Sequence, residues 1–170
     1  MKFIPTAAAA CAALALTGCA GSVSAPTVVQ AMSEQQKAAL HLADITSDAD
    51  KGVEMGTMDF DLINQKIKAY MQTEAPGVFI AGNPTTPIMK VHFTKFERGS
   101  AFARAMLAGL GQIRIEATVF LIDPSGKPMG QYLVSKDFSF GGVIGATTTV
   151  QDVEDGFAKS VVEIVRPKNA

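Results

Sequence analysis

The sequence predicts an α/β protein of the α+β type, a two-layer sandwich in which a mixed sheet of about four strands carries two helices on one face, in the order β-α-β-β-β-α. Three observations predict it. Residues 112–122 alternate strictly, with Ile113, Ile115, Ala117, Val119 and Leu121 on one side and Gln112, Arg114, Glu116 and Thr118 on the other. Asp123-Pro124-Ser125-Gly126 follows as a turn and joins this strand to another. Two further stretches repeat their apolar residues every three to four positions, which is the period of a helix with one buried face.

Taken in order, the chain starts with an export signal over residues 1–18. Lys2 supplies the charge, and residues 7–16 form an apolar stretch too short to span a bilayer as a mature helix. Leu16-Thr17-Gly18-Cys19 resembles the lipobox of bacterial lipoproteins, in which small residues admit the backbone to the signal peptidase and the cysteine thiol becomes a thioether to diacylglycerol. The resemblance implies cleavage before Cys19 and a diacylglycerol plus an N-acyl chain such as palmitate on that residue, enough for stable anchoring at about 0.8 kcal/mol per buried methylene. Ala20 stands where aspartate would mark retention at the inner membrane, so the expected location is the periplasmic face of the outer membrane. The cysteines also bound the chemistry: Cys11 leaves with the signal and Cys19 is acylated, which excludes a disulfide, a cysteine-ligated metal or a cysteine nucleophile from the mature domain.

The strong apolar signal at the N-terminus accounts for part of the 48% apolar content and the mean hydropathy of +0.21, and no later run has membrane-spanning length. With a formal net charge of −1 and no cluster of Lys and Arg, nothing suggests a nucleic-acid partner.

Residues 19–37 read as the lipidated cysteine and a flexible tether, residues 38–166 as a single domain, and residues 167–170 as a tail. Within the domain, residues 39–46 alternate Leu40 and Leu42 with His41 and Ala43 and suggest the first strand. Thr57 caps a helix along which Phe60, Ile63, Ile67, Tyr70 and Met71 recur, and Pro76-Gly77 stops it. Residues 88–97 alternate again, Met89, Val91 and Phe93 against Lys90, His92 and Thr94. The 112–122 strand and a strand over 129–138 complete a hairpin. Thr149 with Asp152 forms a capping box for a final helix with Val150, Val153, Phe157, Val161 and Ile164 as its stripe, ending before Pro167.

Arg104, Ala108-Gly109-Leu110-Gly111, the strand ending Leu121-Ile122-Asp123, the turn at Gly126, and Phe140-Gly141-Gly142-Val143-Ile144-Gly145 together resemble the domain-of-unknown-function family numbered 4410, small bacterial envelope lipoproteins, over about residues 38–166. Ala108 and Gln112 depart from a family pattern richer in glycine. The resemblance implies an envelope location and carries no activity. The fold it implies is similar to that of envelope accessory lipoproteins that act as assembly or docking modules.

Catalytic and metal chemistry finds little support. His41 and His92 each stand alone on a strand without metal-ligand spacing, and no metal site is expected. Asp44, Asp48, Asp50 and Glu54 lack the periodic ligands of a calcium loop and read as a solvated connection. No Gly-x-Ser-x-Gly elbow occurs, and Gly109-Leu110-Gly111 precedes a strand, the reverse of a dinucleotide fingerprint. No cofactor is expected beyond the lipid on Cys19.

Two loops are unusual. No acidic residue lies between Arg98 and Arg114, and no charge at all between Phe138 and Gln151. The hairpin brings both loops to the end opposite the Asp123 turn, where Phe102, Met106, Leu107, Phe138, Val143 and Ile144, with Gly109, Gly111, Gly141 and Gly142, are expected to form a docking surface rimmed by Arg98 and Arg104. Alternatively the loops fold back to cap the sheet. The tether is expected to enter at the turn end. The function this predicts is that of a non-enzymatic assembly or docking module, bound to the membrane by lipid and to another envelope protein or a second copy. A carrier of a lipid or other hydrophobic ligand, which needs a cavity between sheet and helices, and an envelope-polymer hydrolase using Glu97 with Glu116 are the alternatives.

Overall fold

A computed structural model describes residues 23–106, 110–140 and 142–167. The export signal and Cys19 lie outside these, as do Leu107, Ala108, Gly109 and Gly141. The strands are β1 (Thr27–Gln30), β2 (Asp44–Ala49), β3 (Ile88–Glu97), β4 (Ile113–Ile122) and β5 (Pro128–Phe138), and the helices α1 (Glu34–Ala38), α2 (Thr57–Glu74), α3 (Ala101–Met106), α4 (Gly142–Thr147) and α5 (Val150–Val162). Among the described residues the strands form one five-stranded sheet in the order β1-β5-β4-β3-β2. β2 runs parallel to β3 and the other neighbours are antiparallel.

The mixed sheet with α2 and α5 packed on it matches the expected architecture. The long elements follow their patterns: Met89, Val91 and Phe93 from β3, Ile113, Ile115, Val119 and Leu121 from β4, Ile63, Ile67 and Met71 from α2, and Phe157 and Val161 from α5 are fully buried. Each such side chain contributes about 1.5–3 kcal/mol by leaving water. The rings of Phe60, Phe93 and Phe157 stack in succession, with centroids 6.1 and 5.6 Å apart, and fill the space between sheet and helices. A register shift between Phe93 and Lys95 turns β3 over, so Phe96 rather than Lys95 faces inward.

Four features differ from the sequence expectation. The first domain strand sits at Asp44–Ala49 instead of 39–46, because parallel pairing with β3 starts at Asp44 beside Ile88. Leu40 and Leu42 are buried all the same, and Leu42 makes a lone bridge to Phe79. α2 is capped one residue earlier than Thr57, where Asp59 accepts the Gly56 N–H at 2.9 Å. Most consequentially, the segment expected as tether is folded. Ser24 donates its backbone N–H to Ser160 Oγ at 2.7 Å, residues 27–30 pair with β5, Met32 is buried with its N–H on Tyr132 Oη, and Ser33 with Gln36 forms a capping box for α1. Thr27 lies beside Leu133 in the middle of β5, so the chain joins along an edge of the sheet and not at the turn end. Finally, α3 and α4 are short helices where loops were expected.

α2 and α5 are also joined by charge. Lys66 Nζ lies 2.7 Å from Asp155 Oδ1 and 3.4 Å from Glu154 Oε2, and donates to the Gln151 carbonyl at 3.2 Å. Burial pushes the Glu154 carboxyl above its usual 4.5, an effect Lys66 only partly offsets, and Oε2 has no hydrogen bond. A carboxyl raised in this way supports folding fully below 4.5 and withdraws that support as pH rises. Lys66→Met is therefore expected to cost about 3 kcal/mol at neutral pH, through the uncompensated Glu154 charge, and markedly less at pH values where Glu154 holds its proton. Urea unfolding at the two pH values checks this; an equal loss at both would refute it.

Candidate functional site

The β4–β5 hairpin decides where the two unusual loops go. Its register runs from Ile122 beside Pro128 to Ile113 beside Phe138. The tight turn is closed by Asp123, whose Oδ1 accepts from the N–H groups of Ser125 and Lys127 at 2.8 and 2.9 Å. The chain entering β4 and the chain leaving β5 therefore meet at the far end, as expected, and there α3 packs against α4.

The base of this tip is held by a buried arginine. Arg104, 3% exposed, donates from Nε to the Gly145 carbonyl at 3.0 Å, from Nη1 to Gly111 at 2.7 Å and from Nη2 to Thr148 at 2.9 Å. It thus ties α3 to the entry of β4, to a carbonyl of α4 and to the residue just past that helix, where the helix dipole is negative. Glycines make the approach possible. Gly111 has φ +69°, and a Cβ on Gly145 would collide with the Phe140 carbonyl.

Above this base the surface is apolar. Phe102 and Val143 are 77% and 81% exposed, and Met106 and Ile144 are exposed beside them, as the sequence suggested. Leu110 and Phe140 belong to the same surface and were not anticipated. Two expectations are corrected. Arg104 is no rim residue, because three carbonyls enclose its guanidinium. Phe138 is buried as the last inward residue of β5, its ring 5.5 Å from Phe140, which it supports from below. Arg98 is at the rim, engaged with Asp59 Oδ1 at 2.6 Å and lying over the Phe96 ring. Gly111 and Gly142 sit in the framework, at the mouth of β4 and the start of α4; Leu107, Gly109 and Gly141 fall outside the described residues. The loops are packed down at their base and apolar at their top.

The histidines do not form a common site. His41 Nδ1 meets the Gly77 carbonyl at 2.9 Å. His92, on the uncovered sheet face, has Asp48 Oδ1 2.7 Å from Nδ1 and Asp50 Oδ1 3.0 Å from Nε2. Register explains the pairing, since Asp48 lies beside His92 in the β2–β3 ladder. This cluster was legible only as two separate features, a lone histidine and an acidic run. With one carboxylate on each ring nitrogen, the groups do not converge, and among the described residues no three His, Cys, Asp or Glu side chains are arranged to hold a metal. Both nitrogens donate only in the imidazolium form. The hydrogen bond from His92 to Asp48, with Asp50 adding to it, holds the imidazole above its usual 6.5. Burial pushes Asp48 up, but Lys90, at 2.8 Å, and His92 outweigh it and hold the carboxyl below 3.8.

Glu97 and Glu116, the pair a hydrolase would need, each lie by a cation of their own strand, Lys95 at 3.3 Å and Arg114 at 3.7 Å. Two open grooves, of about 790 and 750 Å³, lie outside the core: one beside the tip over Phe96, Arg98 and Leu110, the other by Leu40, Val78 and Ile164.

The family described as a domain of unknown function, DUF4410, matches residues 23–142, and the chain belongs to it. The match runs from 23, before the 38 expected from sequence, to 142, short of the expected 166. No curated protein matches the sequence. Among solved structures, the PelC dodecamer from Paraburkholderia phytofirmans is similar at 10% identity and a TM-score of 0.54, covering 85% of this chain and 99% of that one. A leucine-to-methionine variant of that dodecamer, in another crystal form, aligns at 8% identity and a TM-score of 0.52 over 85% and 96%. At such identities the likeness is one of fold.

Two outcomes follow from this geometry. Arg104→Met strands three carbonyls and is expected to destabilise the tip by about 3 kcal/mol or more, speeding amide exchange over residues 100–106 and 142–149 while the hairpin stays protected. Arg104→Lys, with a single donor centre, should not restore it. For His92, the raised pKa makes its stabilisation complete below 6.5 and lost as pH rises through the folded value; the depressed Asp48 maintains its share until pH falls below 3.8. The difference in urea midpoint between the protein and His92→Asn should then shrink steadily above pH 6.5, and a pH-independent difference would count against the clamp.

Proposed function

We propose that this protein is a lipid-anchored lipoprotein on the periplasmic face of the outer membrane, acylated on Cys19, and that it works without catalysis as an assembly module docking through the α3–α4 tip. The lipobox-like Leu16-Thr17-Gly18-Cys19 supports the anchor. The observation that carries the docking role is the combination at the tip: Phe102, Met106, Val143 and Ile144 exposed on two short helices whose base is fixed by Arg104, with Leu110 and Phe140 exposed on the adjoining segments. An apolar surface held rigid loses little freedom on binding, and exposed contiguous apolar patches on folded proteins mark interaction sites.

The partner we favour is a second copy of the chain. The similar fold of PelC is found as a dodecamer, which supports self-association as a use of this architecture. His92 is held between Asp48 and Asp50, and Glu97 and Glu116 each lie beside a cation, which supports a non-catalytic role.

Photoreactive residues at positions 102 and 144 are expected to give adducts of twice the chain mass in intact cells, and Val143→Glu to abolish them and shift the acylated protein in detergent to a smaller assembly by light scattering. Adducts to another envelope protein would keep docking and change the partner. No protein adduct at either position would sink the docking reading.

A further inference from the structure

The anchor and the folded domain are closer together than the sequence suggested. Three residues, 20–22, separate Cys19 from Val23, and Ser24 is already fixed on α5, its N–H on Ser160 Oγ, which in turn donates to the Gly156 carbonyl at 2.7 Å. At about 3.4 Å per residue, the Cα of Cys19 lies within about 17 Å of Ser24. Thr27 then begins β1, the edge strand beside β5.

β1 is uncharged and exposes valines beside the polar Thr27 and Gln30. Val23, Val28, Val29 and Leu133 are all exposed, and no charged residue occurs between Cys19 and Glu34. Val28 and Val29 point to opposite faces of the sheet, so apolar side chains flank the edge on both sides. As a template for a strand from another protein the edge is poor: β1 has four residues, Pro26 precedes it, and the register slips between Val28 and Gln30.

We infer that the β1 edge rests on the lipid bilayer, with Val23, Val28, Val29 and Leu133 seated at the boundary of headgroups and acyl chains. The inference rests on acylation of Cys19, which brings the bilayer within reach of this edge. Depth is limited by the unpaired backbone groups of β1, which stay in the hydrated headgroup layer. The sheet then stands edge-on to the membrane, with β2 about 19 Å further out across four strand spacings, and the α3–α4 tip faces sideways.

The test uses the full acylated protein in nanodiscs of phosphatidylethanolamine and phosphatidylglycerol containing brominated lipid. Since the mature chain has no other free thiol, single substitutions Val29→Cys, Thr46→Cys and Phe102→Cys each accept one bimane probe. Quenching at position 29 is expected to exceed that at 46 on β2 and at 102 on the tip by threefold or more. Equal quenching at 29 and 46 overturns the inference, as does stronger quenching at 102. Mass spectrometry of the N-terminal peptide separates the two levels: an unacylated Cys19 defeats the anchor and this inference together, whereas an acylated Cys19 with an unquenched position 29 defeats only the seating of the β1 edge.

Discussion

Antiparallel pairing of β4 with β5 is the constraint on which the rest of the structure depends. The Asp123 turn permits one register, and that register puts Ile113 beside Phe138 at the other end. Everything unusual in the sequence, the acid-free segment before β4 and the charge-free one after β5, is thereby forced to one place. A slip of one residue between the two strands would keep the inward set of β4 in place and turn that of β5, Tyr132, Val134 and Phe138, to solvent, so the burial of the hairpin and the assembly of the tip are the same event.

Gathering two apolar segments does not by itself give a defined surface, and Arg104 supplies the definition. Its guanidinium presents donors in fixed directions, and the three carbonyls it reaches belong to separate segments: the mouth of β4, α4, and the link from α4 to α5. Hydrocarbon packing would tolerate sliding of α3 on α4, whereas directed bonds to carbonyls do not. Among the described residues these bonds all go to backbone carbonyls and none to a carboxylate, and neither segment of the tip carries an acidic residue that would oppose an apolar partner.

What the sequence made legible follows the strength of its periodicity. The α2, β3, β4, β5 and α5 patterns are long, and their elements formed close to expectation, down to the Thr149 and Asp152 cap, though α5 ends at Val162 and leaves Ile164, expected in its stripe, in the turn beyond. β1 was obscured because four residues cannot display a period, although Thr27-Val28-Val29 is β-branched throughout and Ser33 with Gln36 spells a capping box. Arg104 was misplaced because sequence alone assigns an arginine to the surface; its burial depends on carbonyls up to 44 positions away. His92 was dismissed for the same reason, its carboxylate partners lying on the neighbouring strand and just past its end rather than nearby in sequence.

The two exposed apolar surfaces differ in kind, and the difference bears on how they would be used. The β1 edge is thin and close to the proposed acylation site, which suits a contact whose function would be orientation, because acyl chains on Cys19 would already provide the affinity. The tip carries Phe102 and Phe140 on a braced base, which suits a contact that must discriminate. With the edge on the bilayer, strands run along the membrane plane and the tip opens laterally. Copies anchored in one leaflet as proposed would meet tip-first by diffusion in two dimensions, where the anchor would raise their effective concentration and a modest apolar surface would suffice for association.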